Sequence, residues 1–255
     1  MACNTSPSDP SPADLTPNPS PKERGIPLPL GTSELKAKDA REAQSGDGSA
    51  SLPYYNTPDF TPHFLFLPDS ISMQITHHVG AFRFANQDSA IITDQTVRGK
   101  IHVANFMFTS CGSICPVMTS ELKKVALAFR NEANVVLLSY SVTPWIDTPG
   151  HLRRFRKARG VDSFARWHFL TGKKEAIYQL ARRAYFAEEE IGFTRDSSDF
   201  LHTEHFVLVD GDGRIRGIYN GTLALETEQL VQDINALLKE KEIATAAQEL
   251  RSKRI

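Results

Sequence analysis

Phe106-Met107-Phe108-Thr109-Ser110-Cys111-Gly112-Ser113-Ile114-Cys115-Pro116 is the stretch around which the rest of the chain arranges itself. It closes a continuous apolar run over 101–108, the pattern of a strand buried on both faces. Two cysteines follow with three residues between them. Pro116 suits the first turn of a helix, where no backbone N–H is needed. Met118, Leu122, Val125 and Phe129 then recur at spacings of four, three and four. They share one helical face, so a helix is expected over 116–130.

Working outward, 135–142 reads as a second buried strand and 148–159 as a basic helix started by Asp147-Thr148-Pro149. A short strand is expected over 167–170 and a helix over 173–185. Strands over 206–210 and 214–219 flank Gly211-Asp212-Gly213, a hairpin signal. A last helix from about Thr227 carries Leu230, Ile234, Leu237 and Leu238 on one face and frays after Ile243. Upstream, 81–85 and 90–93 flank Asn86-Gln87-Asp88-Ser89 and read as another hairpin. Early strands alternate with helices, which implies parallel crossovers, and the last two strands are antiparallel neighbours. The expected fold class is α/β, a central mixed β-sheet flanked by helices, and the thioredoxin-like fold is its familiar small form.

The chain has 255 residues, enough for one domain with a sizeable core. Residues 5–29 are rich in Ser, Pro, Asp and Asn and cannot bury enough apolar surface to fold. Residues 1–51 are therefore expected to be a disordered tether, 52–75 an extended aromatic and proline-rich segment lying on the domain, 76–243 the domain itself, and 244–255 a tail. With 29 basic and 30 acidic residues the net charge is -1, which gives no case for nucleic acid. No stretch approaches the roughly 18 apolar residues of a membrane span. Cys3, in Met1-Ala2-Cys3-Asn4, fits the stump of a lipoprotein site ahead of a polar segment. A lipid anchor there would put the protein in the bacterial cell envelope, on the periplasmic side.

Cys111 and Cys115 lie between a buried strand and a helix N-terminus, where orphan N–H groups and the helix dipole favour thiolate, at Cys115 especially. Thiolate binds metal or attacks a disulfide. Two thiolates suit soft Cu(I), and also Zn. The pair by itself is equally compatible with a redox disulfide and a metal site, while two inert buried thiols are the bland alternative. Of the eight histidines, His202 and His205 stand together just before the strand over 206–210. Ligands of α/β sheets gather at the carboxyl ends of the parallel strands. A loop entering an antiparallel strand comes to the same edge, so His202 can meet the cysteine loop. Asp147 either caps the helix at Thr148, the expected role, or orients the site.

The stretch 108–116 resembles the signature of the Sco/SenC copper-assembly proteins, which have a thioredoxin-like fold: two cysteines three residues apart, then proline. Asn86-Gln87-Asp88 with Gly99-Lys100 resembles the family's first hairpin. Ser141-Val142-Thr143-Pro144 with Asp147-Thr148-Pro149 resembles its segment after the second core strand. His202-Thr203 ahead of Phe206-Val207-Leu208-Val209-Asp210 resembles its ligand-histidine segment. The resemblance spans about Ile75 to Leu238 and implies that Cys111, Cys115 and His202 are ligands of copper, as Cu(I) or Cu(II). His205 is extra to the motif and expected to be a bystander. Thr143 stands where family members often carry an acidic residue.

The implied function is a metallochaperone delivering copper to the CuA-bearing subunit of cytochrome c oxidase or another copper protein. The alternative is a thiol–disulfide oxidoreductase in which Cys111 attacks a partner disulfide and Cys115 resolves it. A peroxiredoxin-like peroxidase is disfavoured, because Phe108 occupies the place where that chemistry wants a hydroxyl.

Overall fold

The computed structural model describes residues 51–187 and 203–252. Cys3, the expected tether over 1–50 and His202 lie outside the described residues. In chain order the elements are β1 (Tyr54–Tyr55), β2 (Pro62–His63), α1 (Pro68–Gln74), β3 (Arg83–Asn86), β4 (Ile91–Thr93), α2 (Asp94–Val97), β5 (Ile101–Met107), α3 (Ile114–Ala128), β6 (Val135–Ser141), α4 (Pro149–Ala158), β7 (Trp167–Thr171), α5 (Lys174–Ala184), β8 (His205–Val209), β9 (Ile215–Asn220) and α6 (Ala224–Ser252).

Among the described residues the strands form one sheet in the order β2-β1-β9-β8-β5-β6-β7-β3-β4. β5 pairs parallel with β6, and β6 with β7. The remaining pairs are antiparallel, including β5 with β8 and β8 with β9. The expected mixed sheet with helices on both faces is what forms. β5 and β6 are buried along their whole length because helices cover both faces. Along β5 the side chains alternate: Ile101, Val103 and Met107 enter one core, Ala104 and Phe106 the other.

The first core takes α3, through Met118, Leu122 and Val125, together with Leu152 and Phe155 of α4 and Leu230, Ile234 and Leu237 of α6. The second takes Ile177, Tyr178, Leu180 and Ala181 of α5. In the β3–β4 hairpin the Asn86 side-chain oxygen accepts from the N–H groups of Asp88 and Ala90, and Ser89 sits at φ 62°. This side-chain-closed turn is what a polar Asn-rich cluster offers.

The structure adds detail to the sequence reading of segment 52–75 and departs from it at the end of the last helix. Segment 52–75 is built into the sheet edge: Tyr55 pairs with Ile215 of β9, and Tyr54 with His63 of β2. Arg216 fixes it there. Its buried guanidinium donates to the carbonyls of Leu52 and Pro53, pairs with Asp210 and Glu240, and lies over the Tyr54 ring. At the other end α6 continues to Ser252 and does not fray after Ile243. Ala244, Ala246, Ala247, Gln248, Glu249 and Leu250 are strong helix formers, which carry the helix on although Ile243 is already 70% exposed. No helix among the described residues is long and apolar enough to cross a membrane.

Candidate metal and thiol site

The cysteine loop leaves the carboxyl end of β5 and enters α3. The helix starts at Ile114, two residues before Pro116, so Cys115 lies inside its first turn. Pro116 is tolerated there because first-turn N–H groups have no intrahelical partner. One such orphan, the Cys115 N–H, donates to Cys111 Sγ at 3.4 Å. Ser113, the residue at the cap position, makes no side-chain cap bond, and the Cys111 sulfur takes that place. A Cys111 N–H to Phe108 carbonyl bond of 3.3 Å closes the turn.

Both thiols are free and buried, Cys111 with 8% exposure and Cys115 with 4%. Their acidities diverge. Burial pushes the Cys111 thiol up, but hydrogen bonds from Cys115 and Ser113 outweigh it, and its pKa is lowered. Burial, with the hydrogen bond to Cys111 and its charge adding to it, pushes the Cys115 thiol up to about 12. The sequence argument favoured thiolate at Cys115 most. The structure reverses that order, since Cys111 receives the helix-head N–H that Cys115 donates.

β8 runs antiparallel to β5, with His102 opposite Val209, Val103 opposite Leu208 and Ala104 opposite Val207. The start of β8 therefore stands at the sheet edge from which the cysteine loop departs. Thr203 is buried there and accepts from the His205 N–H at 3.2 Å. The residue before it, His202, is outside the described residues. Among the described residues no group of three His, Cys, Asp or Glu side chains could hold a metal. His205 has its ring against Phe60 at 6.2 Å, and Phe60 packs on the second core. The cysteines pack in the first core, so His205 and the cysteines lie on opposite faces of the sheet.

Asp147 does not cap α4. Thr148 is the cap residue, its side chain accepting from the His151 N–H. Asp147 is fully buried, and its carboxylate accepts from the hydroxyls of Ser141, Thr143 and Thr109 and from the Thr109 N–H. Thr109 Oγ1 also lies 3.2 Å from His151 Nε2. Thr109, Ser141 and His151 were not singled out by sequence. The available signal was the alternation Ser141-Val142-Thr143, which points two hydroxyls to one side of the strand end.

A family model described as SCO1/SenC matches residues 72–239, well over half of the 255-residue chain. Three solved structures are similar to it. BsSco, a member of the Sco family of cytochrome c oxidase assembly proteins in which a disulfide switch was identified, is 29% identical, with 63% of this chain and 93% of BsSco covered and a TM-score of 0.53. A SCO1/SenC family lipoprotein from Bacillus anthracis is 27% identical over 64% of this chain and 96% of its own, with a TM-score of 0.55. ScoI of Bradyrhizobium japonicum, solved with copper bound, shares the fold at 24% identity over 64% and 99% of the two chains, with a TM-score of 0.50. The matched sheet, with its cysteine pair at the head of α3, places the chain in this group: it belongs to the SCO1/SenC family.

Proposed function

We propose that the chain carries copper for assembly of the CuA centre of cytochrome c oxidase, holding the ion between Cys111, Cys115 and His202. The observation that carries this reading is the cysteine pair. Two sulfurs sit at one helix head, at the sheet edge where β8 begins. Two thiolates with an imidazole form a donor set suited to Cu(I) and able to hold Cu(II). Membership of a family with oxidase assembly proteins, and with a copper-bound relative, supports it. An anchor on Cys3 would hold the protein at the membrane near its recipient, as the lipoprotein relative from Bacillus anthracis suggests.

The test is copper titration of the reduced protein and of His202→Ala, with chelator competition. A one-to-one complex with thiolate-to-Cu(II) charge transfer, weakened in His202→Ala, is expected. Unchanged affinity in His202→Ala overturns the ligand assignment, and absence of a complex overturns the copper reading.

A second reading, thiol–disulfide exchange, is favoured by one observation, the opposed acidities of the two thiols. A nucleophilic Cys111 beside a protonated Cys115 is the asymmetry of an attacking and a resolving cysteine. The two readings share the same sulfurs, and a disulfide-bearing recipient would need reduction before it could accept metal.

A further inference from the structure

The cysteine loop is held from behind by a carboxylate. Asp147 stands at the end of the turn after β6, and its N–H donates to the Thr143 carbonyl at 2.9 Å. Its Oδ2 accepts from Ser141 Oγ at 2.6 Å, Thr143 Oγ1 at 3.0 Å and the Thr109 N–H at 3.3 Å. Its Oδ1 accepts from Thr109 Oγ1. Every one of these donors is neutral, and the carboxylate has no solvent exposure. Such a group is tolerated only where its hydrogen bonds are made in full.

Two of the four donors belong to Thr109, two residues before Cys111 and 38 residues from Asp147 in sequence. The wiring extends one step further. A threonine hydroxyl has a single proton. Thr109 gives its proton to Asp147, so it can only accept from His151 Nε2, which must therefore carry the hydrogen. The chain His151–Thr109–Asp147 thus ties α4, the cysteine loop and the end of β6 together.

We infer that Asp147 is the positioning residue of the cysteine loop, holding Thr109 by two hydrogen bonds so that Cys111 Sγ stays over the head of α3. For copper this rests on the proposed function, because a preset sulfur matters most if the pair must receive an ion without rearranging. Thr143 contributes to the same group through its hydroxyl.

The experiment compares full-length Thr109→Val, Thr109→Ser, Asp147→Asn and the double variant Thr109→Val/Asp147→Asn. The first readout is hydrogen exchange in the reduced, metal-free protein. Exchange at the amides of Thr109, Cys111 and Cys115 is expected to quicken roughly tenfold in Thr109→Val, the effect of losing one hydrogen bond to a charged group. Amides in the middle of β6 and of α4, away from Asp147 and His151, should stay unchanged. Thr109→Ser keeps the hydroxyl and should match the parent. The double variant should be no worse than the worse single, because both sever one link. The second readout is copper release to a chelator and the thiolate-to-Cu(II) absorption band. Release should quicken by a similar factor and the band should shift in Thr109→Val but not in Thr109→Ser.

Unchanged exchange in Thr109→Val, or a Thr109→Ser defect as large as that of Thr109→Val, overturns the inference. If Asp147→Asn fails to fold, Thr109→Val still decides, because it leaves Asp147 with Ser141, Thr143 and the Thr109 N–H. If the parent binds no copper, the proposed function falls and the exchange readout still judges the positioning role.

Discussion

The two thiols should differ sharply in reactivity. Cys115 is moved from 9.0 to about 12, while Cys111 is moved below 9.0. Each pH unit is tenfold in thiolate, so at pH 8 about one Cys115 in ten thousand is ionised, against about one in ten for a thiol left at 9.0, the value from which Cys111 is moved down. Thiolate population alone gives a ratio of about a thousand. A more basic thiolate is a better nucleophile, with a Brønsted coefficient of about 0.4–0.5, which returns a factor of about twenty. The net expectation is that Cys115 reacts about fiftyfold more slowly than an unshifted thiol, and that Cys111 is labelled first. The assay is a brief iodoacetamide pulse on the reduced protein at pH 8, taken to low conversion. Fragment ions then separate the two sites, which share one tryptic peptide between Lys100 and Lys123. With rising pH the Cys115 rate should climb about tenfold per unit through pH 11, whereas the Cys111 rate should level off earlier. Equal labelling, or Cys115 labelled first, would refute the claim that the helix-head N–H and burial divide the pair.

Arg216→Met leaves Asp210 buried without its guanidinium and frees the carbonyls of Leu52 and Pro53. A loss of about 3–5 kcal/mol is expected in urea melts. Burial already raises the Asp210 pKa and Arg216 lowers it. Removing Arg216 therefore raises the folded value further above the unfolded one, and the deficit should be smaller near pH 4 than at pH 7. Gly221→Ala would put a Cβ 2.7 Å from the Phe206 ring and 3.0 Å from the Glu204 carbonyl. Thermal melts should show a loss of about 1–3 kcal/mol, and copper retention should fall with it because the strain falls where β8 begins. His102 is buried, which drops its pKa from 6.5 to about 3. The unfolded chain then binds a proton that the folded one does not, so stability should fall by about 1.4 kcal/mol per pH unit between pH 6.5 and 3. Burial lowers His77 and His168 as well and adds the same sign. His102→Asn should flatten the acid limb of a stability–pH curve, and an unchanged slope would show that His102 is not its source.

How legible each part was depended on how local its physics is. β5, α3 and β6 were legible because each buries a face whose period stands in the sequence, as Met118, Leu122 and Val125 do on α3. β1 and β2 were not, because two-residue strands have no period, and Pro53, Pro58 and Pro62 argue against a strand. Arg216 gave no sign of its role, since the carbonyls it binds lie 164 and 163 residues away. Asp147-Thr148-Pro149 offered two capping residues in tandem. Only the structure shows that Thr148 takes the cap and leaves Asp147 free to reach Thr109. The cysteine pair was legible as chemistry but not in its order of acidity, because that turns on which sulfur receives the Cys115 N–H. The proposal of His202 as third ligand rests on sequence resemblance and on the direction of β8.

The opposed acidities also bear on how one pair could serve both copper and disulfide chemistry. A metal takes cysteine as thiolate, so each coordinated thiol gives up its proton. Cys111, the more acidic thiol, would meet an incoming ion with a smaller penalty than Cys115. Cys115 would surrender a proton held to about pH 12, so closing the site costs about tenfold in affinity for each pH unit below that value. Copper affinity should then rise at least about tenfold per pH unit across the neutral range, with at least the Cys115 proton released per ion. The same penalty eases release: a recipient with more acidic thiols competes well for an ion that Cys115 regains a proton by losing. An attacking Cys111 in disulfide exchange likewise gains from a neighbour that stays protonated until the mixed disulfide forms. On the proposed copper reading, a pair firm in one sulfur and conditional in the other would suit a carrier, and that asymmetry follows from burying Cys115 in the first turn of α3 while Cys111 sits over its head.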